Sequence, residues 1–355
     1  MNYYILPKIN NTVDVNPNCS SSNVTNPYIS HSLLNYYDQT KNQINDLFSI
    51  DIKFLNQTFE DTIKHVNPYD FIFSPVPGYP FSVSKLTPKT NNFYDLLEIS
   101  NNLNVFDTSN SHKTIQMLHI SSNFVDSIDC FQIIFKNESY HHHTGYNNIS
   151  YAYNDLNKYN FIFVETTKLN YLYSFIESLL IVLKNQKYNG SAIIKVSELF
   201  HKTTIDALYL LSSMYDTVYI CKPSTNNIAS FDRYIVCKNF KLNELSSLYL
   251  KINYLKLLVF IKKLENNNII EILDFKVPCY FKNKIDDSNI IIGQQQIEAL
   301  DQIVALYKNK NFEDKYECVK KKHIEKSVSW CEKYKIPFNK FTENFNMFLP
   351  MKMIL

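Results

Sequence analysis

Glycine is nearly missing from this chain. Four glycines, Gly78, Gly145, Gly190 and Gly293, occur in 355 residues, far below the usual share of about 7%. A glycine-rich loop that cradles a phosphate or a cofactor cannot be built from so few, so widely separated. Arginine is scarcer still, since Arg233 stands alone and the other fixed positive charges are lysines. No two of the seven cysteines form a Cys-x-x-Cys pair, and their number is odd. That excludes a zinc knuckle and a disulfide framework, and predicts a reducing, cytoplasmic setting. Apolar runs such as Leu257 to Ile261 are far short of the roughly 20 residues that span a membrane. The first residues lack a charged start followed by an apolar stretch, so no secretory signal is expected.

What is present is enough to fold. Apolar residues make up 45% and aromatics 15% of the chain, a composition that buries a sizeable core. Net charge is +2 but uneven: residues 246–355 carry +5 and the remainder −3. A polyanion contact is therefore expected on the C-terminal part, with a simple solvated lysine face as the plainer explanation.

The periodicity divides the chain. Residues 1–45 read as a partly irregular arm. Asn67-Pro68 is a boundary signal, followed by an expected short strand, Asp70 to Phe73, and a proline-rich turn, Ser74 to Phe81. A helix is expected over Phe93–Ile99 and a strand over Phe131–Phe135. His141, His142 and His143 are adjacent, which suits chelation from neither a helix nor a strand face, so they predict a surface loop with no metal site. Phe161-Ile-Phe-Val-Glu165 is a strand buried on both faces. Tyr171–Lys184 is a helix with almost no polar face. Strands Ser191–Val196, Thr217–Lys222 and Arg233–Phe240 follow, with a helix opened by a capping box, Thr203-x-x-Asp206, between the first two. This order implies a mostly parallel sheet with one antiparallel terminal strand. Beyond residue 245, Leu248, Ile252, Leu255 and Val259 recur at helical spacing, so 246–355 is expected to be a helical extension of a domain covering 46–245.

The stretch Tyr219-Ile-Cys-Lys-Pro-Ser-Thr through Ser230-Phe-Asp-Arg-Tyr-Ile-Val-Cys-Lys-Asn-Phe240, with Ala192-Ile-Ile-Lys195 before it, resembles the FtsJ-like RNA 2′-O-methyltransferases, in particular divergent members from large DNA viruses. The resemblance implies a Rossmann-like α/β fold, S-adenosylmethionine as cofactor, and RNA, at the mRNA cap, as substrate. It also implies protein partners in an mRNA-processing complex, and a place in host cytoplasm or virion.

The family uses a Lys-Asp-Lys-Glu set to lower the pKa of a ribose hydroxyl and align it. Carried over, that set reads Lys53 (with Lys64 as the alternative), Glu165, Lys195 and Asp232, each acid exchanged for the other. Pro77, Gly78 and Phe81 match the cofactor loop, with Tyr79 and Pro80 expected to crowd it. Asn148 stands where an acidic adenine contact would be. Lys320, Lys321 and Lys322 are the candidate RNA contacts. Three readings follow: an active RNA 2′-O-methyltransferase, an inactive methyltransferase fold that binds RNA or scaffolds a complex, or a structural or virion protein with no nucleic-acid role.

Overall fold

The computed structural model describes residues 1–20, 27–51, 66–106, 114–136, 141–167, 171–243, 246–263, 268–308 and 313–341. Along the chain run strands β1 (Asn2–Ile5) and β2 (Asn18–Ser20) and helices α1 (His31–Asp51) and α2 (Asn92–Leu103). Next come β3 (Gln116–Ile120), α3 (Phe124–Ile134), β4 (His142–Tyr146), the single turn α4 (Ile149–Ala152), β5 (Tyr159–Glu165) and α5 (Tyr171–Asn185). Then follow β6 (Gln186–Val196), α6 (Lys202–Met214), β7 (Tyr215–Lys222), β8 (Arg233–Phe240), α7 (Ser247–Lys263), β9 (Asn268–Glu271), α8 (Cys279–Lys308) and α9 (Glu313–Lys333).

Seven strands form one sheet in the order β4-β3-β5-β6-β8-β7-β1. β4, β3, β5 and β6 are mutually parallel, and β8 inserts antiparallel between β6 and β7. β1 closes the far edge antiparallel to β7. The sheet is therefore mostly parallel with one inserted antiparallel strand, as the order of elements predicts, and the N-terminal residues supply a further antiparallel edge.

Phe161 to Val164 are fully buried because helices cover both faces. Ile162, Val164, Ala192 and Ile194 face a core shared with α5, α6, α7 and α8. Phe161, Phe163, Ile193 and Val236 face a second core shared with α2, α3 and α9. The strand period of two thus sorts one apolar run into two layers. The C-terminal helices close these same cores, α9 through Trp330 and Cys331.

Several local expectations are corrected. Asp70–Ile72 is a turn of 3₁₀-helix, not a strand, held by bonds from Ile72 N to Tyr69 O and from Phe73 N to Asp70 O between two prolines. Phe131–Phe135 ends helix α3, where Ser127, Cys130 and Phe131 share one buried face at helical spacing and Ile133 is exposed. The strand there is instead β3, on polar Gln116 and His119. His142 and His143 lie in edge strand β4 and not in a loop. The capping box at Thr203 does not form: Asp206 turns away to accept from Lys202 Nζ at 2.9 Å and from the backbone of Ile272 and Leu273. Leu248, Ile252, Leu255 and Val259 face solvent, while Asn253, Leu257 and Ile261 on the other side of α7 are buried.

Candidate active site

The parallel strands β3, β5 and β6 end on one side of the sheet, which is where α/β sheets open a crevice. Glu165 ends β5 and lies in register beside Lys195 on β6. Lys195 is in turn paired with Tyr234 on β8, and Asp232 stands just ahead of that strand. A cleft of about 250 Å³ opens there, lined by Ser121, Ser122, Asn148, Glu165, Lys195 and Asp232 among others.

Lys195 is the charged centre of this cleft. Its Nζ lies 2.9 Å from Glu165 Oε1 and 2.7 Å from Asn92 Oδ1. The side chain is 17% exposed, so its tip reaches the cleft. Burial pulls the Lys195 pKa down, but Glu165, Asp95 and Asp232 outweigh it and raise it above the ordinary lysine value. The amine is therefore an ammonium at neutral pH. It spends two of its three donors on Asn92 and Glu165.

The support behind Lys195 is polar and dry. Asn92 Nδ2 donates to Glu165 Oε2 at 3.1 Å. The Tyr234 hydroxyl donates to Asp95 Oδ2 at 2.8 Å and lies 3.2 Å from Asn92 Oδ1. Asp95 also accepts from the Thr225 hydroxyl and from Asn226 Nδ2. Burial raises the Asp95 pKa, with the Lys195 charge and these donors acting against it. The loop between β7 and β8 is tied down by Lys222. Its Nζ reaches Asn226 Oδ1 and the carbonyls of Asn227, Ser230 and Asp232 at 2.7–2.8 Å. Burial pushes the Lys222 pKa down to about 7 against the pull of Asp232, while four oxygen acceptors favour the charged form. The position of Asp232 is thus fixed through its own backbone.

Of the residues singled out in the sequence, Asn148, Glu165, Lys195 and Asp232 share the cleft. Asn148 also caps α4 by accepting from Ser150 N at 3.1 Å. Lys53 and Lys64 lie outside the described residues. Pro77, Gly78 and Phe81 do not line the cleft. They form a turn in which Gly78 takes φ +89°, near Lys320, and the rings of Tyr79, Phe81 and Phe341 pack at 5.1–5.6 Å. The segment that follows the first parallel strand is Ser121-Ser122-Asn123, so Tyr79 and Pro80 leave the cleft open. In the structure Gly78 serves a turn that stands apart from the residues lining the cleft. Lys320, Lys321 and Lys322 lie on α9, with Lys320 paired to Glu317 at 3.2 Å.

Asn92 was not singled out. Its signal is faint: an asparagine opening an expected helix reads as a cap. In the structure it is 1% exposed and bridges the ion pair.

No family model matches the chain. A stretch of 153 residues is 30% identical to cap-specific mRNA (nucleoside-2′-O-)-methyltransferase 1 of Drosophila melanogaster, covering 40% of this chain and 19% of that protein. A stretch of 113 residues is 34% identical to the protein of the same name in Dictyostelium discoideum, covering 31% of this chain and 14% of that one. The match thus spans less than a fifth of either relative. Among solved structures, human methyltransferase-like protein 13 with SAH aligns at TM-score 0.32 and 10% identity, over 48% of this chain and 92% of that one. Haemonchus contortus phospholethanolamine N-methyltransferase 2 aligns at TM-score 0.28 and 12% identity, over 44% of this chain and 40% of that one. Nothing is carried over from these two loose structural likenesses. The sequence similarity supports a methyltransferase relationship.

The cleft fits a methyl-donor sulfonium such as S-adenosylmethionine in kind. Ser121 Oγ is buried, lines the cleft and has no hydrogen-bond partner among the described residues. Ser122, Asn147, Asn148, Thr166 and Thr167 add neutral donors and acceptors, and Asp232 adds a carboxylate beside the Lys195–Glu165 pair.

Proposed function

We propose that the chain is an S-adenosylmethionine-dependent methyltransferase acting on a ribose 2′-hydroxyl of RNA, at the mRNA cap. The observation that carries this reading is the Lys195–Glu165 pair at 2.9 Å, in a cleft shared with Asp232 at the C-terminal edge of the sheet. The similarity to cap-specific mRNA 2′-O-methyltransferases supports the choice of substrate, and the resemblance to members from large DNA viruses belongs to the same reading.

When bound, S-adenosylmethionine supplies an electrophilic methyl group. The chain's own residues prepare the acceptor. The Lys195 ammonium has a donor to spare for a ribose oxygen and stabilises negative charge as it develops there. Its raised pKa makes it a poor proton acceptor, so it orients and polarises while the hydroxyl proton leaves to Asp232 or to solvent. Glu165 and Asn92 hold Nζ in place, and fixed geometry of this kind lowers the barrier by sparing reorganisation. Ser121, Ser122 and Asn148 would hold the donor's polar groups.

A second reading, a methyltransferase fold that binds RNA without catalysis, draws support from one feature. Both acids of the family's set are exchanged here, with Glu165 and Asp232 each in place of the other acid, and each carboxylate is thereby displaced by about one methylene. Calorimetric titration with S-adenosylmethionine separates the readings. Binding in the micromolar range, reduced by Ser121→Leu, supports the enzyme. No detectable binding, with RNA binding intact, supports the second.

A further inference from the structure

A basic groove lies at the opposite end of the strands from the cleft, where β6 begins and α5 ends. It has a volume of about 580 Å³ and is lined by Lys158, Lys184, Lys187 and Lys251 with Tyr188 and Tyr254. Among the described residues no carboxylate lines it, and none of the four lysines forms an ion pair. Lys158 Nζ donates to the Lys184 carbonyl, Lys184 Nζ to the Tyr153 carbonyl, and Lys187 Nζ to Gln116 Oε1 at 2.8 Å. These partners are neutral, so among the described residues the positive charge is opposed only weakly, by Asp155 near Lys184. Burial lowers the Lys158 pKa and the neighbouring Lys184 charge lowers it further. Burial lowers Lys184 too, with Asp155 pulling it back. Asp155 is itself occupied by the hydroxyls of Tyr146 and Tyr159. Tyr188 is 56% exposed and lines the groove beside the lysines.

We infer that this groove binds the phosphate backbone of single-stranded RNA, with Tyr188 as a stacking platform for a base. Lysines tracking a backbone beside exposed aromatic rings are the chemistry that single strands need. The groove is separate from the cleft: Lys187 and Lys195 sit on one strand, eight steps apart, roughly 25 Å at the usual strand rise. The inference concerns binding alone and stands whether or not the cleft transfers methyl groups.

The test is fluorescence anisotropy with short poly(U) on the full chain, comparing it with Lys158→Glu/Lys187→Glu/Lys251→Glu and, separately, Tyr188→Ala. The triple variant is expected to lose at least tenfold in affinity near physiological salt. Its log–log salt slope should be shallower by about 2, as three lost contacts to a single strand imply. Tyr188→Ala, which leaves the charge intact, is expected to weaken binding several-fold with an unchanged slope, which a mere loss of folding would not do. The inference is overturned if the triple variant melts like the parent and binds poly(U) equally well. It is equally overturned if only Lys320→Glu/Lys321→Glu/Lys322→Glu weakens binding. Competition by pyrophosphate as strong as by poly(U) would assign the groove to a free polyphosphate, and capture of poly-Glu in preference to poly(U) would assign it to an acidic protein. Either result rejects RNA.

Discussion

The side-chain oxygen of Asn92 lies 2.7 Å from the Lys195 ammonium. The same side chain donates to Glu165, so one neutral, buried group holds both members of the ion pair. Removing it frees Lys195 to wander and leaves Glu165 with fewer donors. Asn92→Ala is expected to lower the rate of methyl transfer about tenfold or more, since misplacements of ~1 Å can cost 10²-fold. The affinity for S-adenosylmethionine should hardly change. A kcat/KM comparison with a parallel calorimetric titration checks both parts. An Asn92→Ala variant as active as the parent would remove Asn92 from the positioning of Lys195.

Glu165 contributes to the raised pKa of Lys195. With the folded value above the unfolded one, the pair's contribution is fully present below the ordinary lysine range and is lost only as pH rises through the raised value. The alkaline limb of the pH–rate profile should therefore lie above about 10.4, the unperturbed lysine value. Glu165→Gln should shift that limb to lower pH. A profile in which the limb stays put would show that Glu165 does not set the charge on Lys195.

Asp95 is wholly buried and accepts from Tyr234, Thr225 and Asn226. Asp95→Asn points an amide at groups that already donate. We expect a loss of about 1–3 kcal/mol, the cost of leaving buried polar groups unsatisfied. Urea denaturation of variant and parent measures it.

His119 is fully buried, with Nε2 3.0 Å from His143 Nδ1 and Nδ1 3.0 Å from Ser127 Oγ. Burial, and then His143, holds its pKa well below the usual imidazole value. The unfolded chain takes up the proton near pH 6.5 while the folded one does not. Stability should therefore fall as pH drops below about 6.5, by up to ~1.4 kcal/mol per pH unit from this group. Comparing denaturation midpoints of the parent and His119→Gln at neutral and mildly acidic pH isolates it: the parent should lose more.

A Cβ on Gly145 would fall 2.1 Å from the Phe124 ring, so the glycine in β4 exists to let α3 sit close. Gly145→Ala should destabilise by about 1–3 kcal/mol, the usual cost of overpacking. An unchanged melting temperature would contradict this packing.

The sheet's centre was legible in the sequence because both-face burial writes itself as unbroken apolar runs, as in Phe161–Val164 and Ala192–Ile194. The edges were not. β3 and β4 contain Gln116, His119, His142 and His143; His119 is satisfied by His143 and Ser127, and Gln116 by Lys187, bonds that no period reveals. Apolar runs at Phe71 and Phe131 mimicked strands, although prolines and helical packing claim them. Lys195, Glu165 and Asp232 were legible because each ends or begins a recognisable strand. Asn92 was not, because its partners come from strands far along the chain and only the folded sheet brings them together. The α7 stripe was legible as a helix, but periodicity gives a face and not what the face meets, and the buried side is that of Asn253, Leu257 and Ile261.

The most direct test of the central claim is mass spectrometry of capped RNA after incubation with the chain and S-adenosylmethionine carrying a labelled methyl group. The account predicts label on a ribose 2′-oxygen, made by the parent chain and reduced at least 10²-fold in Lys195→Ala, with the variant's S-adenosylmethionine affinity preserved. Label on a base nitrogen, label undiminished in Lys195→Ala, or no label from a parent chain that binds both ligands would contradict it.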